Sequence, residues 1–166
     1  MNKMIGGLNI ATRGDRELVF TRTFNAPRHL VFEAMTTPHL LQRWLGVHNG
    51  WSLDVCTMDL RVGGAYRYEW ANRTGMRMGM GGVFLEIDAP AKVVNTERFD
   101  DHWYPGDAID TLELAERDGI THMTMTVRYE SPEALAAALR TPMEQGMALG
   151  YDTLEAQLPL MFPEQL

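Results

Sequence analysis

One cysteine, Cys56, stands in 166 residues, so no intramolecular disulfide can form and no thiolate zinc site can be built. Basic residues are outnumbered: 15 Lys and Arg against 22 Asp and Glu leave a formal charge of −7. They also form no cluster of the kind that grips a phosphate backbone, so no nucleic acid is expected as a partner. Long apolar runs are missing as well, and none approaches the roughly 20 residues that cross a bilayer. The first residues lack the apolar core and cleavage site of a signal peptide. No membrane insertion and a cytoplasmic location are therefore expected.

Catalytic signatures are equally scarce. Gly79-Met80-Gly81-Gly82 lies inside a strand-like run and not before a helix, which removes P-loop and dinucleotide sites. His29, His39, His48, His102 and His122 give no helical i, i+4 pair with a metal-ligand partner. There is no Gly-x-Ser-x-Gly elbow. Cys56 sits mid-strand with no identifiable activating base, the pattern of an inert thiol. The carboxylates that can be placed fall mainly on turns or outer faces, so no acid/base pair stands out. No metal, no cofactor and no catalytic residue is assigned.

What is present is an ordinary globular composition, 45% apolar and 22% charged, with twelve methionines. Met is flexible and polarizable, suited either to core filling or to an adaptable apolar surface. Residues 1–15 mix Gly, Asn, Thr and Arg without a period and read as a flexible arm; residues 16–166 read as one domain. Strand signals follow at 17–24, where Leu18, Phe20 and Phe24 share a face with Arg22, which either reaches the rim or enters the interior. Leu30, Val31, Ala34 and Met35 give helical spacing up to Thr37-Pro38, and a second short helix over 39–44 ends at Trp44, either a core anchor or the border of a pocket mouth.

The clearest alternation is Tyr66, Tyr68 and Trp70 against Ala65, Arg67 and Glu69, placing three aromatics inside a sheet. In the next run Met78 and Met80 are apolar on one parity and Val83, Leu85 and Ile87 on the other; a bulge at Gly81-Gly82 would reconcile them. In strand 92–99, Glu97 and Arg98 are adjacent, so one of them points inward, where a charge is costly unless paired or wet. Residues 100–107 form an aromatic loop, and Trp103, Tyr104 or Trp51 could serve a homodimer contact. A hairpin across Arg117-Asp118-Gly119 turns Leu112, Leu114, Met123, Met125, Val127 and Tyr129 inward.

The only sustained helical pattern is the last, over 131–158. Its start is written at Ser131-Pro132 and again at Thr141-Pro142 with Glu144 at capping-box spacing. Met143, Met147, Tyr151, Leu154 and Leu158 define its buried face, and Pro159 is expected to stop it. Gly146 and Gly150 beside that face either admit a close backbone or leave room for a guest.

Several phrases, and their order, resemble one family. They are Thr21-Arg22-Thr23-Phe24-Asn25-Ala26-Pro27, Val31-Phe32-Glu33-Ala34 with Thr37-Pro38 and Arg43-Trp44, Asp59-Leu60-Arg61-Val62-Gly63-Gly64, Gly81-Gly82-Val83-Phe84-Leu85-Glu86-Ile87, Thr96-Glu97-Arg98-Phe99, and Gly150-Tyr151 with Leu154 and Leu158. Together they resemble the SRPBCC superfamily (START and Bet v 1-like), in the branch related to the C-terminal domain of the activator of Hsp90 ATPase. The resemblance implies an α+β helix-grip fold: a curved antiparallel sheet of six or seven strands wrapped around a long C-terminal helix, with two short helices after the first strand. Tyr151 departs from the Trp that commonly follows the last-helix glycine. Relatives bind lipids, hormones or flavonoids, cyclise polyketides, or contact a chaperone, and fold does not select among these. The expectation is a binder of a small apolar or aromatic molecule lined by Trp44, Tyr66, Tyr68, Trp70, Met78, Met80, Arg98, Met123, Met125, Met143, Met147 and Tyr151. A cyclase or aromatase using Arg98 or Glu97, and a chaperone-interaction module, are the rivals.

Overall fold

A computed structural model describes residues 2–166; residue 1, the first of the expected arm, lies outside the described residues. The chain is α+β, with nine strands: β1 (Asn2–Ile5), β2 (Leu8–Arg13), β3 (Glu17–Phe24), β4 (Trp51–Met58), β5 (Ala65–Asn72), β6 (Arg77–Asp88), β7 (Lys92–Phe99), β8 (Ala108–Arg117) and β9 (Ile120–Arg128). Helices α1 (Arg28–Thr36) and α2 (Pro38–Leu41) join β3 to β4, and α3 (Pro132–Leu139) and α4 (Met143–Met161) close the chain. All pairings are antiparallel, in the order β1-β2-β3-β9-β8-β7-β6-β5-β4.

The strand count corrects the expected six or seven, and residues 2–13 account for two of the extra strands. They are not a loose arm. Ile5 pairs with Leu8 across Gly6-Gly7, with Gly6 at φ 57°, and β2 then pairs with β3 so that Leu8 and Ile10 are fully buried. A Gly-Gly loop supplies the positive φ that a two-residue hairpin needs.

One feature of the strands differs from the sequence reading. The parity switch in β6 is not at the glycines: Met78, Met80 and Phe84 keep one face, Val83 and Leu85 are exposed, and the register against β7 slips between Phe84 and Glu86. The cause is non-local. Phe84 N donates to Gly64 O at 2.9 Å and Gly63 N donates to Phe84 O at 2.8 Å, so the turn before β5 holds Phe84 in place and the extra residue falls after it.

The helical end also differs in detail. Ser131 caps α3, accepting from Ala134 N at 3.1 Å, but Thr141 does not cap α4: its hydroxyl donates back to Ala138 O at 2.6 Å, and Glu144 turns to Lys3 at 2.9 Å. Pro159 lies within α4, which runs on to Met161. The second short helix is only one turn, Pro38–Leu41.

Helix α4 leans on α1, α3, β1 and β2. Its tethers run the same way: Arg22 reaches Asp152 at 2.9 Å, Asn25 N donates to Glu155, and Arg43 donates to Gln157 at 2.8 Å. The core is therefore densest under β2, β3, β9 and α1, around Leu18, Phe20, Phe24, Val31 and Leu154. The inner faces of β4 to β7 are covered less completely, and Cys56, Met58, Tyr68, Met78 and Phe99 remain only partly buried.

Candidate functional site

Strands β5 and β6 bring the expected lining together. Tyr68 pairs with Met80 and Trp70 with Met78, and the rings of Tyr66 and Tyr68 stand 5.0 Å apart, with Tyr68 and Trp70 at 5.9 Å. Their spacing follows from strand alternation, which puts every second residue on one face. Trp70 is fixed by its indole N–H, which donates to Leu45 O at 2.9 Å over Gly46, where a Cβ would lie 2.6 Å from that nitrogen. Met125, Met143 and Met147 are also partly buried, whereas Met123 is core. Burial pushes the Cys56 thiol up to about 11, so it remains a thiol at neutral pH.

Two more expected lining residues, Trp44 and Tyr151, serve the core. Trp44 donates to Ala34 O at 3.1 Å and stacks on Tyr151 at 5.9 Å, locking the α1/α2 turn to α4; it is an anchor and not a pocket border. Tyr151 itself packs edge-on against Phe24 at 6.1 Å. A Cβ on Gly150 would meet Trp44 at 3.8 Å, while one on Gly146 meets nothing within 4 Å, so the two glycines answer differently the question that the sequence leaves open.

Arg98 does not belong to the inner site. Its side chain is 59% exposed on the outer face, paired to Asp107 at 2.5 Å. The register Val93 to Leu112 and Asn95 to Asp110 turns Val93, Asn95, Glu97 and Phe99 inward and Arg98 out. Two open depressions of about 610 and 410 Å³ lie on that outer face and share Arg98 and Asp107. Two of the guanidinium groups lining them are paired, Arg67 with Asp100 at 2.7 Å and Arg16 with Asp15 at 3.0 Å.

The inward charge is Glu97, and it has company that the sequence reading missed. Asp110, on β8 with the parity of Leu112 and Leu114, is only 7% exposed. Asn95 donates to Asp110 Oδ2 at 3.4 Å and to the Tyr66 hydroxyl at 3.1 Å; that hydroxyl donates to Thr96 O at 2.6 Å. Tyr104 donates to Glu97 Oε2 at 2.5 Å, and its ring meets Tyr129 edge-on at 5.0 Å. Of the aromatic loop, Tyr104 is thus inside while Trp103 is 44% exposed.

No protein N–H or O–H reaches Asp110 Oδ1. Burial first, and then the adjacent Glu97, hold the Asp110 carboxyl well above the usual carboxylate range, so it keeps its proton and donates to Glu97. The two carboxyls are thus joined by a side-chain hydrogen bond. Tyr66, Tyr104 and Tyr129 are raised by burial and next by these carboxylates, and stay neutral donors. The signal for Asp110 was legible: a carboxylate two residues before Leu112 shares its face.

A family model, activator of Hsp90 ATPase homolog 1-like protein, matches residues 25–158, well over half of the chain. The chain belongs to the AHSA1-like family. That places it in the SRPBCC superfamily. Similar solved structures include a protein from Rhodobacter sphaeroides, at 28% identity and TM-score 0.87 over 93% of this chain and 99% of that one. Protein CV1439 from Chromobacterium violaceum is 28% identical, with TM-score 0.65 over 87% and 96%. An AHSA1-like protein from Aeromonas hydrophila, at 18% identity and TM-score 0.68 over 89% and 96%, shares the fold. No curated protein matches the chain. Among the described residues no AHSA1-like helix is long and apolar enough to cross a membrane, and no cluster of three His, Cys, Asp or Glu could hold a metal.

Proposed function

We propose that this AHSA1-like protein binds a small molecule with an apolar or aromatic body, seated on the inner faces of β4 to β7 beside Met143 and Met147. The observation that carries this reading is the uneven cover of the sheet. Helix α4 is tied to the β1 to β3 side, and it leaves Tyr68, Met78, Phe99 and Met125 partly exposed on an otherwise apolar face. Such a surface with a few convergent polar groups is the usual form of a ligand site, and proteins of this superfamily generally bind hydrophobic ligands. Because the lining is Tyr, Trp and Met, it suits flat rings and adapts to several shapes.

Native mass spectrometry and thermal melts against flavonoids, lipids and polyketide-like aromatics test the reading. At a hundredfold excess over Kd a ligand stabilises by about 2.7 kcal/mol, a Tm rise of roughly 5 to 10 °C for a chain of this size. Met147→Trp, which fills the space, should remove that rise while leaving the unliganded melt within a few degrees. No shift with any probe, or a shift that Met147→Trp leaves intact, would sink it.

A second reading has one observation in its favour. The shared proton of Glu97 and Asp110, with Tyr104 as a donor, could be passed to a substrate carbonyl in a cyclase-like reaction. Turnover of a bound polyketide-like aromatic that stops in Glu97→Gln would support it over simple binding.

A further inference from the structure

Inside the sheet carboxylates outnumber cations, and the one buried guanidinium, Arg22, lies over the Phe24 ring. Glu97, Asp110 and Glu144 face the space beneath α4, and the tyrosines there register it: Tyr129 is raised by burial and then by all three carboxylates. Cations are scarce on the same face. Lys3 pairs with Glu144 at 2.9 Å, and the Arg22 guanidinium is committed to Asp152 and to the Phe24 ring, 4.6 Å from its centroid. Neither touches Glu97 or Asp110. Two of the carboxylates are also short of donors. Among the described residues nothing hydrogen-bonds to Asp110 Oδ1 or Glu144 Oε2, and the two residues are only 7% and 5% exposed.

Buried charge in proteins is paired, and a buried acceptor without a donor is costly. Among the described residues no cation meets the Glu97 and Asp110 pair, of which Asp110 is buried and Glu97 half-buried. The pair is framed by Tyr66, Tyr104 and Tyr129, with Tyr68 next to Tyr66. Aromatic faces attract cations as well as apolar bodies. Neutral hydroxyl ligands would satisfy Asp110 Oδ1 but leave the charge unmatched, and anions would add to it.

We propose that the ligand is a protonated aromatic amine, its ammonium seated at Glu97 and Asp110 and its ring against Tyr66, Tyr68 and the methionines. The inference rests on the pocket reading above and adds to it the charge of the ligand. The ammonium brings the N–H donors that Asp110 Oδ1 lacks and sets a cation against the two carboxyls. The groups facing the pair are Asn95 from its own strand, Tyr66 from β5, Tyr104 from the loop before β8, Tyr129 after β9 and Tyr151 from α4. None of these groups is a cation, so recognition of an ammonium falls to the two carboxyls.

Three probes of one shape separate the possibilities: 2-(1-naphthyl)ethylamine, 2-(1-naphthyl)ethanol and 1-naphthylacetate, titrated calorimetrically at pH 7. The amine should bind at least tenfold tighter than the alcohol, and the carboxylate weakest. Glu97→Gln should bring amine and alcohol within about twofold of each other. Asp110→Asn, which keeps an N–H donor toward Glu97, should retain the amine preference, and it also controls for folding. An alcohol that binds as tightly as the amine, or a preference that survives Glu97→Gln, overturns the amine assignment while leaving the pocket standing. If none of the three binds, the pocket reading falls too.

Discussion

At the scale of single residues, the decisive pair is Glu97 and Asp110. A carboxyl whose folded pKa is raised binds more protons in the native than in the unfolded chain between the two pKa values, so native stability falls as pH climbs through that window. For Asp110 the window opens at roughly pH 4, the unfolded value, and extends up to the raised folded value. Asp110→Asn imitates the protonated form. Its melting temperature should exceed that of the parent at pH 7, and the gain should shrink toward zero by about pH 4; a gain that is flat with pH would show that the carboxyl is not held neutral. Legibility differed between the two residues. Asp110 shares parity with Leu112 and Leu114 and could have been read. Glu97 and Arg98 could not be separated from sequence, because strand 92–99 has no purely apolar parity, and only the register with β8 decides.

Among elements, α4 and the first hairpin carry the tests. Gly146 has open space around it, so Gly146→Ala should gain up to about 1 kcal/mol from helix propensity alone. Gly150 faces Trp44, and Gly150→Leu should be clearly destabilising, as overpacking typically costs about 1 to 3 kcal/mol. Equal effects in urea melts would mean that the two glycines share one environment. Leu8 tests the hairpin: its burial implies that Leu8→Ala costs about 2 to 5 kcal/mol, against almost nothing for a residue in a free arm. The Gly6-Gly7 turn and the alternation of Leu8 and Ile10 were visible in the sequence, but strands this short carry little periodicity. The missed cap at Thr141 and the displaced bulge in β6 have one cause: tertiary partners, Lys3 for Glu144 and the Gly63-Gly64 turn for Phe84, outweighed the local signal.

For the whole molecule, the family, the large antiparallel sheet and the C-terminal helix were all legible, because they rest on turn and packing phrases spread along the chain. The site was legible only in part. Tyr66, Tyr68, Trp70, Met78 and Met80 lie together as alternation requires, whereas Trp44, Met123 and Tyr151 went to the core and Arg98 to the outer face. Patterning marks which residues point inward; how completely a helix then covers them depends on where that helix is tethered.

The strand order has a further consequence, for the history of the chain. Strands β1 to β3 form one meander and β4 to β9 another, each from neighbours in sequence, and a single seam between β3 and β9 unites them. Phe24 must wait for Thr121. On a ribosome adding about 5 to 20 residues per second, the edge of β3 that β9 will cover stays open for roughly 5 to 20 s before β9 emerges. That interval, more than the finished fold, is when the nascent chain is most exposed to aggregation and most in need of a holding partner.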